Sequence, residues 1–339
     1  MTDSIKNIYE MNKILLGDID KAVYYFRICS YEDALEIVGR TGESIKRLAE
    51  AVLVEREYFK NITTESVSDM LQSILKASQT GNYVLLADLY ELQLANFICS
   101  IQETILRTEQ YLIYDEARYR ENISALKNVL REMIEERDDL TVDEQKRFRV
   151  NLNASLDEDF DAERMLKKGY MLEFTSAGLM TVAAPYKNDR IYLHSNGHAE
   201  QEAFLQAKSW YDPAAEEYVV YGLGLGYHIE QLHALAPQKR IVVYESDLDM
   251  FRLYCAFAGS CNILTEENVF MVYDEKLNVV ERRLLRCSLP NNENSQLLYD
   301  NASDTVVKAC VHYPSYRRTG GCSMLDRIVP WKAKIEALT

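Results

Sequence analysis

Apolar positions recur every three or four residues from the start of the chain. Ile5, Ile8, Met11, Leu15, Ile19, Ala22 and Phe26 form one stripe, which predicts a helix with a single buried face. Ser30 followed by Asp33 marks the capped start of a second helix, with Ala34, Leu35, Val38, Ile45, Leu48, Ala49 and Val52 facing inward. Gly39 and Gly42 weaken that helix and mark a bend or a close approach to a neighbour. A third helix is expected over 64–78, ending at Gly81. A fourth runs from Asn82 and carries Val84, Leu85, Leu89, Leu92, Leu94, Phe97, Ile101 and Ile105. The first proline is Pro185, which suits long helices with short connections, so 1–113 reads as an antiparallel helical bundle.

Over 114–168 the pattern stays helical but becomes strongly charged. REMIEERDDL reads as a solvated connector, and Thr141 with Glu144 supplies a capping box. At Gly169 the period changes: YMLEFT and LMTVAA read as two strands around Gly178, and IYLHS is a third apolar run. Beyond it, strands and helices alternate. A helix over 200–209 precedes a strand over 218–221, and strands over 241–244 and 269–273 are each followed by helical spacing. The fold class expected is α/β: a Rossmann-like, mostly parallel sheet with helices on both faces over 169–325, preceded by the all-α bundle and followed by a tail over 326–339.

Composition narrows the function classes. The chain of 339 residues is long enough for two cores, and its formal net charge of −15 repels a phosphate backbone, which argues against nucleic-acid binding. Without a run of about eighteen apolar residues, and with the polar start MTDSIKNIYE, no membrane span or leader is expected and the reading is cytoplasmic. The seven cysteines are scattered and lack a C-x-x-C pair, so neither a disulfide framework nor a zinc site is expected.

The candidate chemistry lies in YVVYGLGLGYHIEQLHALAPQKRIVVYESD. A short strand meets Gly222, Gly224 and Gly226, a helix follows, and the next strand stops at Glu245. Glycine lets the main chain approach a ligand closely, a helix N-terminus favours an anion, and an acid at the end of the adjacent strand suits ribose hydroxyls. Tyr227 and His228 open the helix after the turn and Asp247 opens the one after Glu245. These seven residues are the candidate ligand set. The alternative for the glycines is tight helix–strand packing with no ligand.

The spacing G-x-G-x-G is similar to the first motif of S-adenosylmethionine-dependent methyltransferases, although Val220 stands where those carry an acid. Among the histidines, His194 and His198 are four apart, His228 and His233 five apart, and His312 stands alone. No third ligand has metal-site spacing, and no metal is expected. Ser195 beside His194 lacks a glycine elbow, and no catalytic constellation stands out. Arg317 and Arg318 beside Gly320 and Gly321 are anion-binding candidates, with a solvated loop as the alternative.

The segments GYMLEFTSAGLMTVAAPYKNDRIYLHSNGHAEQEAF, YVVYGLGLGYHIEQLHA and KRIVVYESDLDMFRLY resemble the amino-terminal region of bacterial motility-associated factor (Maf) proteins, over about 120–320. These are flagellin glycosyltransferases that use nucleotide-activated sialic-like sugars. The resemblance implies a glycosylation or motility setting, a nucleotide or nucleotide-sugar as the small ligand, and flagellin or another motility protein as partner. In that family a separate domain holds the transferase site, and no such domain is recognised before Thr339. The expectation is therefore an accessory or partial glycosyltransferase protein. The alternatives are a methyltransferase-like enzyme using S-adenosylmethionine and a non-enzymatic interaction protein with a vestigial Rossmann domain.

Overall fold

The computed structural model describes residues 2–62, 65–108, 114–134, 140–175, 177–186, 189–195, 198–258, 262–276, 278–280, 287–288, 297–300 and 305–312. The chain divides into two units. The first is Met1–Ile113 with Phe174–Leu179, and the second is Tyr114–Glu173 with Met180–Thr339.

The first unit is helical: α1 (Asp3–Arg27), α2 (Tyr31–Val54), α3 (Glu65–Gln79), α4 (Tyr83–Leu89) and α5 (Ala95–Thr108). Thr2 caps α1 by accepting from the Ile5 amide, and the stripe of Ile5, Ile8, Leu15, Ile19, Ala22 and Phe26 is buried as its spacing requires. The Ser30 hydroxyl pairs with the Asp33 side chain and makes no bond to the main chain of α2. Neither Gly39 nor Gly42 marks a close approach to a neighbour. The helix runs through both, and a Cβ at either would meet nothing within 4 Å.

The helix expected from Asn82 is one helical run of 26 residues, Tyr83–Thr108, with a π-helical turn over Tyr90–Leu94 where α4 passes into α5. The widened turn shifts the apolar phase. Leu86, Tyr90, Leu94, Ile98, Ile101 and Ile105 are buried, whereas Val84, Leu85 and Leu92, expected inward, are exposed. By length and composition this run could cross a membrane. In the bundle its buried face is core, and it carries Gln102, whose Oε1 accepts from Asn12 at 2.8 Å and whose Nε2 donates to the carbonyl of Tyr9 at 3.0 Å.

The second unit opens with α6 (Glu116–Met133), α7 (Val142–Leu156) and α8 (Ala162–Lys167). The capping box of Thr141 and Glu144 starts α7 with both reciprocal bonds present. The segment is not a solvated connector throughout. Tyr119, Ile123, Leu126, Leu130 and Met133 lie buried along one side of α6, a stripe that surrounding charges hid from a reading by composition. On that helix Asn122 donates to the carbonyl of Cys255 at 2.8 Å.

Three strands, β1 (Met171–Phe174), β2 (Met180–Tyr186) and β3 (Asp189–Tyr192), form a small sheet in that order. After α9 (Ala199–Trp210) come β4 (Glu217–Tyr221), α10 (Tyr227–Leu235), β5 (Arg240–Glu245), α11 (Leu248–Phe257), β6 (Val269–Tyr273), β7 (Cys287–Ser288), β8 (Leu297–Asp300) and β9 (Thr305–Val311). The main sheet has the order β6-β5-β4-β9-β8-β7. Four neighbours, β6, β5, β4 and β9, are parallel, and β8 and β7 extend the sheet antiparallel. Val219 sits opposite both Val242 and Ala309, and these three are buried, which accounts for a continuous apolar run in place of alternation. The last strand, β9, lies beside β4. That placement brings residue 312 to the glycine turn.

Candidate functional site

β4 ends at Tyr221 and the chain turns through Gly222, Gly224 and Gly226, all in the left-handed region with φ of 98°, 52° and 79°. The conformation explains glycine at each place, since a side chain is strained there. Their open sides are filled by this chain's own side chains. A Cβ on Gly222 would lie 3.2 Å from His312 Cβ, one on Gly224 would lie 2.7 Å from His194 Nε2, and one on Gly226 would lie 2.5 Å from the Tyr254 ring.

Glu245 ends β5 and turns into this loop. One carboxylate oxygen accepts from the Leu223 amide at 3.0 Å; the other accepts from the amides of Ser246 at 2.7 Å and Asp247 at 2.9 Å. Burial drives its pKa up from 4.5 to about 7, with Asp247 adding to the rise, while the three amides pull the other way. The carboxyl ties the tip of the glycine turn to the end of β5, and both of its oxygens are engaged in doing so.

The other candidates have local tasks. The Tyr227 hydroxyl donates to the carbonyl of Met180 at 2.8 Å, and its ring meets His194 edge to face. Asp247 caps α11 by accepting from the Asp249 amide at 3.0 Å, and its other oxygen takes the Tyr170 hydroxyl. Just beyond lies a buried ion pair, Asp249 with Arg252 at 2.6 Å, joined by Lys168. Ser195 accepts from the amide of its neighbour His198 at 3.0 Å, and His233 faces Asn268 at 3.1 Å. Arg317 and Arg318 lie outside the described residues.

Sequence spacing did not bring His194, His228 and His312 together, but the fold does. They come from the end of the small sheet, the first turn of α10 and the residue after β9. All three are buried, and one ring nitrogen from each lies within 4.8 Å of the other two. The rings of His228 and His312 stack in parallel with centroids 4.0 Å apart, and that of His194 lies 5.0 Å from His312. Burial lowers all three pKa values; His228 is lowered further by His312 and His194, and His194 by His312. His312 falls to about 4 for the same reason of burial. The three imidazoles are therefore neutral at physiological pH.

Each neutral ring makes defined bonds. His194 Nε2 accepts from the Leu225 amide at 2.8 Å, so its proton sits on Nδ1. His228 Nε2 lies 2.9 Å from the carbonyl of Gly222 and His312 Nε2 lies 3.0 Å from that of Leu193, so in both the proton sits on Nε2. His312 Nδ1 faces the Gln206 carboxamide at 2.8 Å, which can turn its NH2 toward that lone pair. His228 Nδ1 is buried with no hydrogen-bond partner. The sequence signal available was that each histidine follows an apolar strand or its turn, in YLHS, GYH and VH. Distance along the chain concealed the grouping.

No curated protein and no solved structure matches the chain. The family model of the glycosyltransferase Maf N-terminal domain does match, over residues 118–266. The matched stretch runs from α6 to just before β6 and includes the glycine turn, Glu245, His194 and His228. The likeness read from the sequence therefore holds over 118–266, where the chain is similar to the Maf N-terminal domain, and this supports a Maf-type, glycosyltransferase-related role.

Proposed function

We propose that this protein is an accessory component of Maf-type glycosylation in the cytoplasm, that it works with flagellin or another motility protein, and that its α/β unit is a scaffold rather than a transferase centre. One observation carries this reading. The features that would receive a ligand are spent internally, with both Glu245 oxygens on main-chain amides and the glycines facing His312, His194 and Tyr254. A buried acceptor already bonded to three amides gains little by exchanging them for ribose hydroxyls.

A second reading, a partial glycosyltransferase holding a nucleotide-sugar on a Rossmann-like core, is favoured by the order β4, glycine turn, α10, β5, Glu245 within the matched segment. The methyl-donor reading gains no comparable support, because Val220 is buried in β4 and offers no carboxylate.

Calorimetric titration of the full chain with cytidine monophosphate and its nonulosonic-sugar conjugate, beside surface-plasmon resonance with flagellin, tests both. Flagellin binding with no nucleotide heat is expected. Saturable nucleotide heat would sink the scaffold reading in favour of the partial transferase. Silence in both assays would sink the accessory role.

A further inference from the structure

We propose that His194, His228 and His312 form a binding site for one divalent transition-metal ion of the zinc type. The inference stands apart from the glycosylation reading, because it rests on side-chain geometry alone.

Three elements distant in sequence deliver three imidazoles to one buried point, with a nitrogen of each within 4.8 Å of the others. Zinc holds imidazole nitrogens at about 2.0–2.1 Å in a tetrahedral arrangement, which sets them roughly 3.4 Å apart. Closing the cluster thus asks the rings to draw together, and the parallel rings of His228 and His312 to tilt open.

The hydrogen bonding of the rings favours ligation. His228 presents a bare Nδ1 lone pair in the interior while its Nε2–H donates to the carbonyl of Gly222. His312 repeats the pattern, with Nε2–H on the carbonyl of Leu193 and Nδ1 against a carboxamide that can rotate away. Ligating histidines are generally oriented in this way, with the far N–H donated to a main-chain carbonyl. A stranded buried lone pair is unfavourable, and a metal ion would satisfy it.

The third ligand links the metal to the loop. His194 Nε2 now holds the Leu225 amide, so ligation through this atom frees that main-chain bond within the glycine turn. Three protein ligands leave one coordination position for water or an oxygen ligand.

The test uses the full chain, stripped with chelator and titrated with Co2+ while visible absorption is recorded. One equivalent is expected, with the intense d–d bands of a four-coordinate nitrogen site and no thiolate charge-transfer band. His228→Gln keeps a side-chain N–H for the carbonyl of Gly222 but removes Nδ1, and should bind at least about 100-fold more weakly with an unchanged circular dichroism spectrum. Absence of uptake by the parent, weak six-coordinate bands, a thiolate band, or unaltered affinity in folded His228→Gln would each overturn the site. Should the variant fail to fold, the parent spectrum alone decides.

Discussion

Replacing Glu245 by glutamine tests its role as the anchor of the glycine turn, because its bonding and its burial each change stability in a pH-dependent way. Three main-chain amides converge on the two carboxylate oxygens, at 2.7, 2.9 and 3.0 Å. A carboxamide offers one acceptor oxygen, so its NH2 must face at least one of those amides, and losing that buried bond costs about 1–3 kcal/mol. Below pH 4.5 the neutral acid of the parent keeps acceptor lone pairs on both oxygens, so the parent leads by that amount. Its carboxyl has a folded pKa of about 7, above the ordinary 4.5, and it holds its proton more tightly when folded. A raised carboxyl contributes stability that is full below pH 4.5 and lost as pH rises through about 7. At roughly 1.4 kcal/mol per pH unit the loss approaches about 3 kcal/mol. Urea unfolding of both proteins, followed by far-ultraviolet circular dichroism from about pH 5.5 to 8, isolates this group, since all other titrations cancel in the difference. The lead of the parent should shrink with rising pH until the two proteins converge or cross. A lead that grows with pH would refute the claim that burial dominates this carboxyl, and equal stability throughout would refute its role as an anchor.

Other substitutions probe the same physics elsewhere. Gly226→Ala places a methyl 2.5 Å from the Tyr254 ring at φ 79°. Left-handed strain of about 1–2 kcal/mol and overpacking of about 1–3 kcal/mol should lower stability in urea titration. Gly39→Ala should do the reverse, gaining up to about 1 kcal/mol, because its position within α2 is open; a loss there would show that the glycine has a partner. Asp249→Asn removes the charge paired with Arg252, itself 3% exposed, which keeps the Ser155 carbonyl and Glu158, and should cost about 1–3 kcal/mol in equilibrium unfolding. Arg27→Ala removes exposed pairs with Asp88 and Glu91 and should change the same measurement by under about 1 kcal/mol.

Much of the local structure was legible along the chain. The α1 stripe, the capping box at Thr141, the apolar runs of β4, β5 and β6 and the left-handed glycines are all fixed by neighbours within a few residues, so spacing and residue type suffice to find them. The sequence also placed Glu245 at the end of a strand beside the glycine turn. It did not reveal the full bonding of its carboxylate, because the Leu223 amide reaches it only once β4 and β5 pair, whereas those of Ser246 and Asp247 are local. The buried face of α6 was masked by its charges, and the π-helical turn at Tyr90 moved the core face off the simple helical period. The histidine cluster was beyond any spacing rule. His312 reaches the glycine turn because β9 pairs with β4, and His194 arrives from a separate sheet. Periodicity reports which face of an element is buried, whereas strand order and packing decide which residues meet there.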